Sequence, residues 1–185
     1  MAVYSKKHEL LDLACQLTET EYNKETPDII FTVTPATPEH ILDTDKWPDV
    51  SHLKSGYGNM DWGRIYRRQA FKSKRFLCAI HTKHDSALIG LFAGRVSPDN
   101  HDGSKVSIDY IERNATYPLG KGHVMAIAVK LAYILADALE YCIVRVNNPA
   151  KGLIDKYKGE MPNATHVQAS KYHSYLEAPV STNFP

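Results

Sequence analysis

The chain has 185 residues, 43% of them hydrophobic and 23% charged, with 22 basic side chains against 21 acidic ones. That length suits one globular domain with a sizeable core, and the composition is not that of a disordered chain. The near balance of charge excludes a global electrostatic attraction to nucleic acid or an anionic membrane as the basis of function.

Residues 4–22 predict an amphipathic helix, with Leu10, Leu11, Ala14 and Leu17 on one stripe. Thr26-Pro27 ends it, and residues 28–34 (DIIFTVT), rich in β-branched and aromatic side chains, predict a strand. Residues 35–59 hold three prolines, two glycines and scattered acids, the pattern of a loop with a short helix beginning near Pro38. Residues 59–72 predict a helix starting at Met60 or Asp61, with Trp62, Ile65, Tyr66 and Ala70 on one face and basic residues on the other. Three strands are expected at 75–82, 87–95 and 105–113, with turns at His84-Asp85 and over 97–103. Such short connections suit an antiparallel meander. Residues 122–140 form the strongest predicted helix. Its polar positions His123, Lys130 and Asp137 recur every seven residues and predict a narrow solvent-facing stripe on an otherwise apolar cylinder that packs on a sheet. A strand at 141–146, a short helix at 149–158 opened by proline, and a strand or hairpin edge at 165–177 complete the chain. No repeat, low-complexity tract or linker divides it, so one domain over residues 1–185 is expected.

The cysteines, Cys15, Cys78 and Cys142, are widely spaced, and Cys78 and Cys142 lie in apolar runs. They read as buried small hydrophobes in a reducing, cytoplasmic protein. No apolar signal core follows residues 1–9, and the most apolar segment, 124–139, is too short and too interrupted for a membrane span. His81-x-x-His84 lacks the further ligands of a metal site, so no metal is expected. A Ser-His-Asp hydrolase has no G-x-S-x-G support.

The informative stretch starts at residues 106–114 (VSIDYIERN), passes into Gly120-Lys121-Gly122 and enters the long apolar helix. A glycine loop between a strand and a helix N-terminus can aim several backbone N–H groups at one anion. The helix dipole adds to that attraction, and glycine lets a phosphate approach closely. Lys121 either adds charge or points into water. Neither G-x-x-x-x-G-K-[ST] nor G-x-G-x-x-G occurs, so nucleotide hydrolysis and dinucleotide redox chemistry lack their signatures.

The order of elements (three-strand meander, glycine loop, apolar helix, strand, Asn-Pro turn, short helix) resembles the GCN5-related N-acetyltransferase (GNAT) family. The resemblance spans residues 28–177 by element order and 108–159 by residues. It implies an α/β (α+β) fold with a mixed, mostly antiparallel central sheet flanked by helices. The family's pyrophosphate loop reads [Q/R]-x-x-G-x-[G/A]. One register places Leu119 at the Gln/Arg position and Val124 at the final small position; the other uses Tyr117 with Gly120 and Gly122. The resemblance implies that Asn114, Leu119, Gly120, Lys121, Gly122, His123 and Val124 hold acetyl-CoA or another acyl-CoA. Asn148, in Asn147-Asn148-Pro149-Ala150, is similar to the family's asparagine after the strand, near the thiol end. Many members carry a tyrosine on the following helix as acid to the leaving thiolate. Ungapped alignment places Ile154 there, and Tyr157, three residues on, is the candidate donor, with packing of the helix as its competing role.

Acyl transfer to an amine needs a base for the ammonium proton and donors for the oxyanion. Asp109 and Glu112 are the acids on the third meander strand, and strand alternation turns them to opposite faces. Glu112, nearer the expected bend, is the candidate base, against a reading as an edge charge. Asp109 reads as a solvated or paired acid. Backbone N–H groups around 112–114 are the candidate oxyanion donors. Asp43, Asp45 and Asp49, walled by Trp47 and Tyr57, either attract a cationic amine or are ordinary turn acids. Arg64, Arg67, Arg68, Lys72, Lys74 and Arg75 form a solvated face or a guide for an anionic partner or the adenosine 3′-phosphate. The implied function is transfer of an acyl group, acetyl first, to a primary amine of a small molecule or protein. Its rival is a non-catalytic acyl-CoA-binding or interaction module. The implied partners are a CoA thioester and an amine acceptor, with no nucleic acid and no membrane, and a homodimer is allowed.

Overall fold

The computed structural model describes residues 2–50, 58–70, 72–98 and 103–180, with residues 2–8 described by backbone alone. The expectations at Tyr57 and in the middle of the 97–103 turn lie outside the described residues. In chain order the elements are α1 (Ala2–Glu25), β1 (Phe31–Pro35), α2 (Pro38–Thr44), α3 (Trp62–Gln69), β2 (Arg75–Thr82), β3 (Leu88–Ser97) and β4 (Lys105–Arg113). They continue with α4 (His123–Ala138), β5 (Ile143–Asn147), α5 (Ile154–Glu160), β6 (Thr165–Ser170) and β7 (His173–Pro179).

The strands form one seven-stranded sheet in the order β1-β2-β3-β4-β5-β7-β6. All neighbours are antiparallel except β4 and β5, which run parallel because α4 carries the chain back between them. The C-terminal hairpin folds inward: β7, the later strand, pairs with β5 and leaves β6 at the edge.

On one face of the sheet, α1, α4 and α5 cover Phe76, Cys78, Ile80, Phe92, Val106, Ile108, Val144 and Val146. Ile127 and Leu131 of α4 are fully buried there, each contributing about 1.5–3 kcal/mol by the area it removes from water. On the opposite face, Trp62 and Ile65 of α3 cover Leu77, Ala79, Leu91 and Ala93.

Three expectations change. The buried stripe of α1 is Leu11, Ala14, Cys15, Thr18 and Tyr22, while Leu17 stays 43% exposed. Two polar-looking residues join that stripe because each finds a partner: the Thr18 hydroxyl donates to the Ala14 carbonyl at 2.7 Å, and the Tyr22 hydroxyl shares a 2.8 Å hydrogen bond with His123 Nδ1. The same contact removes the solvent stripe of α4. His123 packs on Tyr22 and Phe31, and Lys130 pairs with Glu25 at 2.7 Å, so α1 covers this side of the helix and Asp137 alone of the three is exposed. Cys142 is exposed and Cys15 buried, because Cys142 sits in the turn before β5 while Cys15 faces the sheet beside Cys78.

Candidate functional site

The parallel pairing of β4 with β5 spans only Lys105–Ile108 against Ile143–Val146. Beyond it β4 continues alongside β3 while β5 turns away with β7, so the sheet splits into a V. Asp109 stands at the apex. The β3–β4 register shifts between Ala93, opposite Tyr110, and Gly94, opposite Ile108, which makes Asp109 the extra residue of a β-bulge. The bulge breaks strict alternation, contrary to the sequence expectation for the two acids. Asp109 reaches Arg75 and Arg95, and Glu112 reaches Trp62, so both turn to the α3 side. Asp109 also accepts from Asn147 Nδ2 at 2.6 Å, a side-chain tie across the two strands where their backbone pairing stops.

The Asn114 N–H donates to the Ile89 carbonyl at 2.8 Å. Because antiparallel pairs alternate, the Ile111 and Arg113 amides then face the opened edge rather than β3. The amides available for an oxyanion in the V are therefore those of Ile111 and Arg113, and Asn114 is spent on β3.

A cavity of about 340 Å³ fills the V. Its walls come from β4 (Ile108 to Arg113), the loop and first turn of α4 (Gly120, Lys121, Gly122, Val124, Met125), and the end of β5 with the segment after it (Asn147 to Ala150). Leu153, Lys156 and Tyr157 close it from the α5 side, and Met60 borders it from the opposite face. At its mouth, Gly122 is the N-cap of α4 with φ +89°, a conformation that suits glycine, and the cap carries no side-chain hydrogen bond. The first intrahelical bond there runs from the Ala126 N–H to the Gly122 carbonyl. The His123, Val124 and Met125 amides therefore have no helical acceptor, which leaves a positive pole beside the cavity. Gly90 of β3 allows α4 to sit this low, since a Cβ there would meet both Val124 methyls at 2.6 Å. These features suit a phosphate-bearing ligand whose extended arm lies between β4 and β5.

Glu112 is 5% exposed. Its carboxylate accepts from Asn59 N–H at 2.6 Å, Met60 N–H at 3.2 Å and Trp62 Nε1–H at 2.6 Å. Burial pushes its pKa above the ordinary carboxylate value, and the three donors oppose that shift. Tyr157 is 2% exposed and lies against the cavity, and burial raises its hydroxyl pKa, so it stays protonated at neutral pH. Ile154, at the ungapped alignment position, packs on the core and does not line the cavity.

No family model matches the sequence, and no curated protein matches it. Solved structures do match. An acetyltransferase of the GNAT family from Listeria monocytogenes 4b F2365 aligns over 80% of this chain and 94% of its own, with a TM-score of 0.54 at 14% identity. Spermidine N-acetyltransferase from Vibrio cholerae, solved with CoA and spermine, aligns over 80% of this chain and 95% of its own, with a TM-score of 0.54 at 8% identity. FdhC, a nucleotide-linked sugar GNAT, aligns over 80% and 86%, with a TM-score of 0.53 at 12% identity. The chain has the GNAT fold.

Within this GNAT fold the residues expected from sequence divide into two sets. Gly120, Lys121, Gly122, Val124, Asn148, Glu112 and Tyr157 converge on the cavity. Asn114, Leu119 and His123 do not line it. Asn114 Oδ1 caps the Thr116 N–H and hydroxyl while its Nδ2 donates to the Leu88 carbonyl, which ties the loop to β3. Leu119 is 50% exposed, and His123 is held against α1, where burial lowers its pKa. Tyr117, at the Gln/Arg position of the second register, donates its hydroxyl to Asp85. A second cation, Arg113, missed in the sequence, stands at the cavity beside Lys121. Its Nη1 donates to the Asn114 and Tyr117 carbonyls at 3.0 and 3.1 Å, its stem lies over Gly120, and it borders the cavity. Strand alternation from Ile111 was the available signal. Lys156, one residue before Tyr157, was missed as well.

Among the described residues, no group of three or more His, Cys, Asp or Glu side chains gathers to hold a metal, and no helix is long and apolar enough to cross a membrane. His81 contacts His40 of α2, with ring centroids 4.7 Å apart. Asp43 pairs with Lys46 at 2.6 Å.

Proposed function

We propose that this protein is an acyl-CoA-dependent N-acyltransferase, with acetyl-CoA the first donor to test. The observation that carries the reading is the convergence, in one V-shaped cavity, of the uncapped α4 mouth with Glu112 and the protonated Tyr157. The Vibrio cholerae enzyme of the same fold, whose structure contains CoA and spermine, supports it.

In the proposed reaction the α4 amides, with Lys121 and Arg113, hold the diphosphate, and the pantetheine arm lies in the V. Proximity then supplies much of the acceleration. An arriving ammonium sheds one proton to Glu112, directly or through water. The raised pKa of Glu112 moves it toward the working pH, and its three donors leave about one carboxylate lone-pair site for that proton. The amine lone pair attacks the thioester carbonyl carbon, and the Ile111 and Arg113 amides face the developing oxyanion. As the C–N bond forms the C–S bond breaks with its electron pair on sulfur. Tyr157 protonates the thiolate and recovers a proton from the nitrogen that becomes the amide. The products are an amide and free CoA, and the proton held by Glu112 passes to solvent.

Thermal unfolding with and without acetyl-CoA is the first test. Ligand at about 100 times its dissociation constant adds roughly 2.7 kcal/mol to folded-state stability. No shift with acetyl-CoA or longer acyl-CoAs at millimolar concentration rejects the proposal. Thiol release with an amine panel then separates enzyme from binder. The engagement of Glu112 by three donors favours the second reading, a non-catalytic acyl-CoA-binding module, and a thermal shift without thiol release establishes that one.

A further inference from the structure

A second cavity, also of about 340 Å³, lies under α3 and is lined by Met60, Asp61, Arg64, Arg68, Gln69 and Tyr110 among others. Met60 and Tyr110 also border the V-shaped cavity, so the two spaces adjoin at this pair of side chains. These two side chains are shared walls, so a molecule seated under α3 faces the splayed strands across them. The volume is that of a small-molecule site.

Its chemistry is uneven. The floor is apolar, from Met60, Ile65 and Tyr110. Gln69 interrupts it: it is 3% exposed, and its Oε1 is buried without a hydrogen-bond partner among the described residues. A buried, unsatisfied carboxamide is uncommon in a folded protein, and a ligand that hydrogen-bonds it accounts for its place here. Arg64 and Arg68 stand one turn apart at the rim, both exposed, and no ion pair seen among the described residues uses either. The carboxylate beside them, Asp61, is engaged as the N-cap of α3, accepting the Arg64 N–H at 2.7 Å. Asp43, the acid that would draw a cation toward this side of the sheet, is already paired with Lys46.

We infer that the cavity under α3 is the acceptor subsite and that it selects a small amine with an apolar body and an anionic far end. This rests on the acyltransferase reading. The amine passes Met60 and Tyr110 to reach the thioester, Gln69 Oε1 accepts from any N–H or O–H that the body carries, and the far carboxylate or phosphate meets the two guanidinium groups. An acceptor with a second ammonium at that end meets like charge and is disfavoured.

The test uses three six-carbon amines that differ at one end: 6-aminohexanoate, 1-aminohexane and 1,6-diaminohexane, with acetyl-CoA as donor. Two exposed charge contacts predict a kcat/KM for 6-aminohexanoate on the order of tenfold above that for the diamine, carried in KM, with the neutral-ended amine between. An Arg64→Glu, Arg68→Glu double variant, altered only at exposed helix positions, inverts that order. Equal or better use of the diamine, or an unchanged order in the double variant, overturns the acceptor assignment and leaves acyl transfer standing. If none of the three amines releases thiol, acyl transfer to such amines fails, and equilibrium dialysis decides the cavity by itself. Retention of 6-aminohexanoate by the wild type, lost in the double variant, supports the anion-selective site, and no retention overturns it.

Discussion

Glu112 and Tyr157 approach the same cavity with different obligations to the fold, and their variants separate chemistry from structure. Glu112→Gln places an amide NH2 against one of three N–H donors, so folded-state stability falls by about 1–3 kcal/mol in a urea titration. If Glu112 is the base, thiol release also falls by on the order of a hundredfold or more while acetyl-CoA still raises the melting temperature. Tyr157→Phe removes one hydroxyl from a residue that otherwise packs in the core; a comparable loss of kcat with the fold retained marks it as the proton donor. Gly122→Ala tests the mouth of α4. At φ +89° and ψ −41°, outside the left-handed helical region, a side chain costs about 1–3 kcal/mol, and since an added Cβ meets nothing within 4 Å the loss is conformational, readable by denaturant unfolding. Glycine, glutamate and tyrosine were all visible in the sequence because each is a residue type that the chemistry requires. Arg113 was not, because its role depends on a loop that curls back under its guanidinium.

At the scale of elements, the contact between α2 and β2 makes stability depend on pH. Burial, and then the neighbouring His40, lower the His81 pKa to about 4, and burial lowers that of His40. A depressed histidine pKa means that the unfolded chain binds the proton first. Its contribution to stability is complete above the unfolded value of about 6.5 and is lost as pH falls toward 4. The melting temperature should therefore drop between about pH 6.5 and 4, and His81→Gln should flatten that part of the curve. A flat wild-type curve across this window removes the argument. Element existence was largely legible here: the meander, the α4 helix and the α2 start at Pro38 all lie where periodicity, turn residues and proline place them. Which face each element buries was less so. The heptad spacing of His123 and Lys130 on α4 reads as a solvent stripe only until α1 is laid over it, with Tyr22 and Glu25 as partners.

Across the whole molecule, the site depends on two strands that pair for four residues and then part. Asp109 holds that apex through Asn147 on one side and Arg75 and Arg95 on the other. Asp109→Ala leaves those donors without their acceptor and should cost about 1–3 kcal/mol, with weaker thermal stabilisation by acetyl-CoA because the V is no longer clamped. Unchanged unfolding in both conditions would remove this role. From the sequence alone came the strand, loop and helix order, the glycines at the helix mouth and the acids and tyrosine near it, because turn chemistry, periodicity and residue type are local properties. Only the tertiary structure decided that a bulge turns Asp109 and Glu112 to one face, that Tyr157 rather than Ile154 meets the cavity, and that a second cavity adjoins the first under α3. Those outcomes depend on register and on which distant side chains fill the space between layers, and long-range packing sets both.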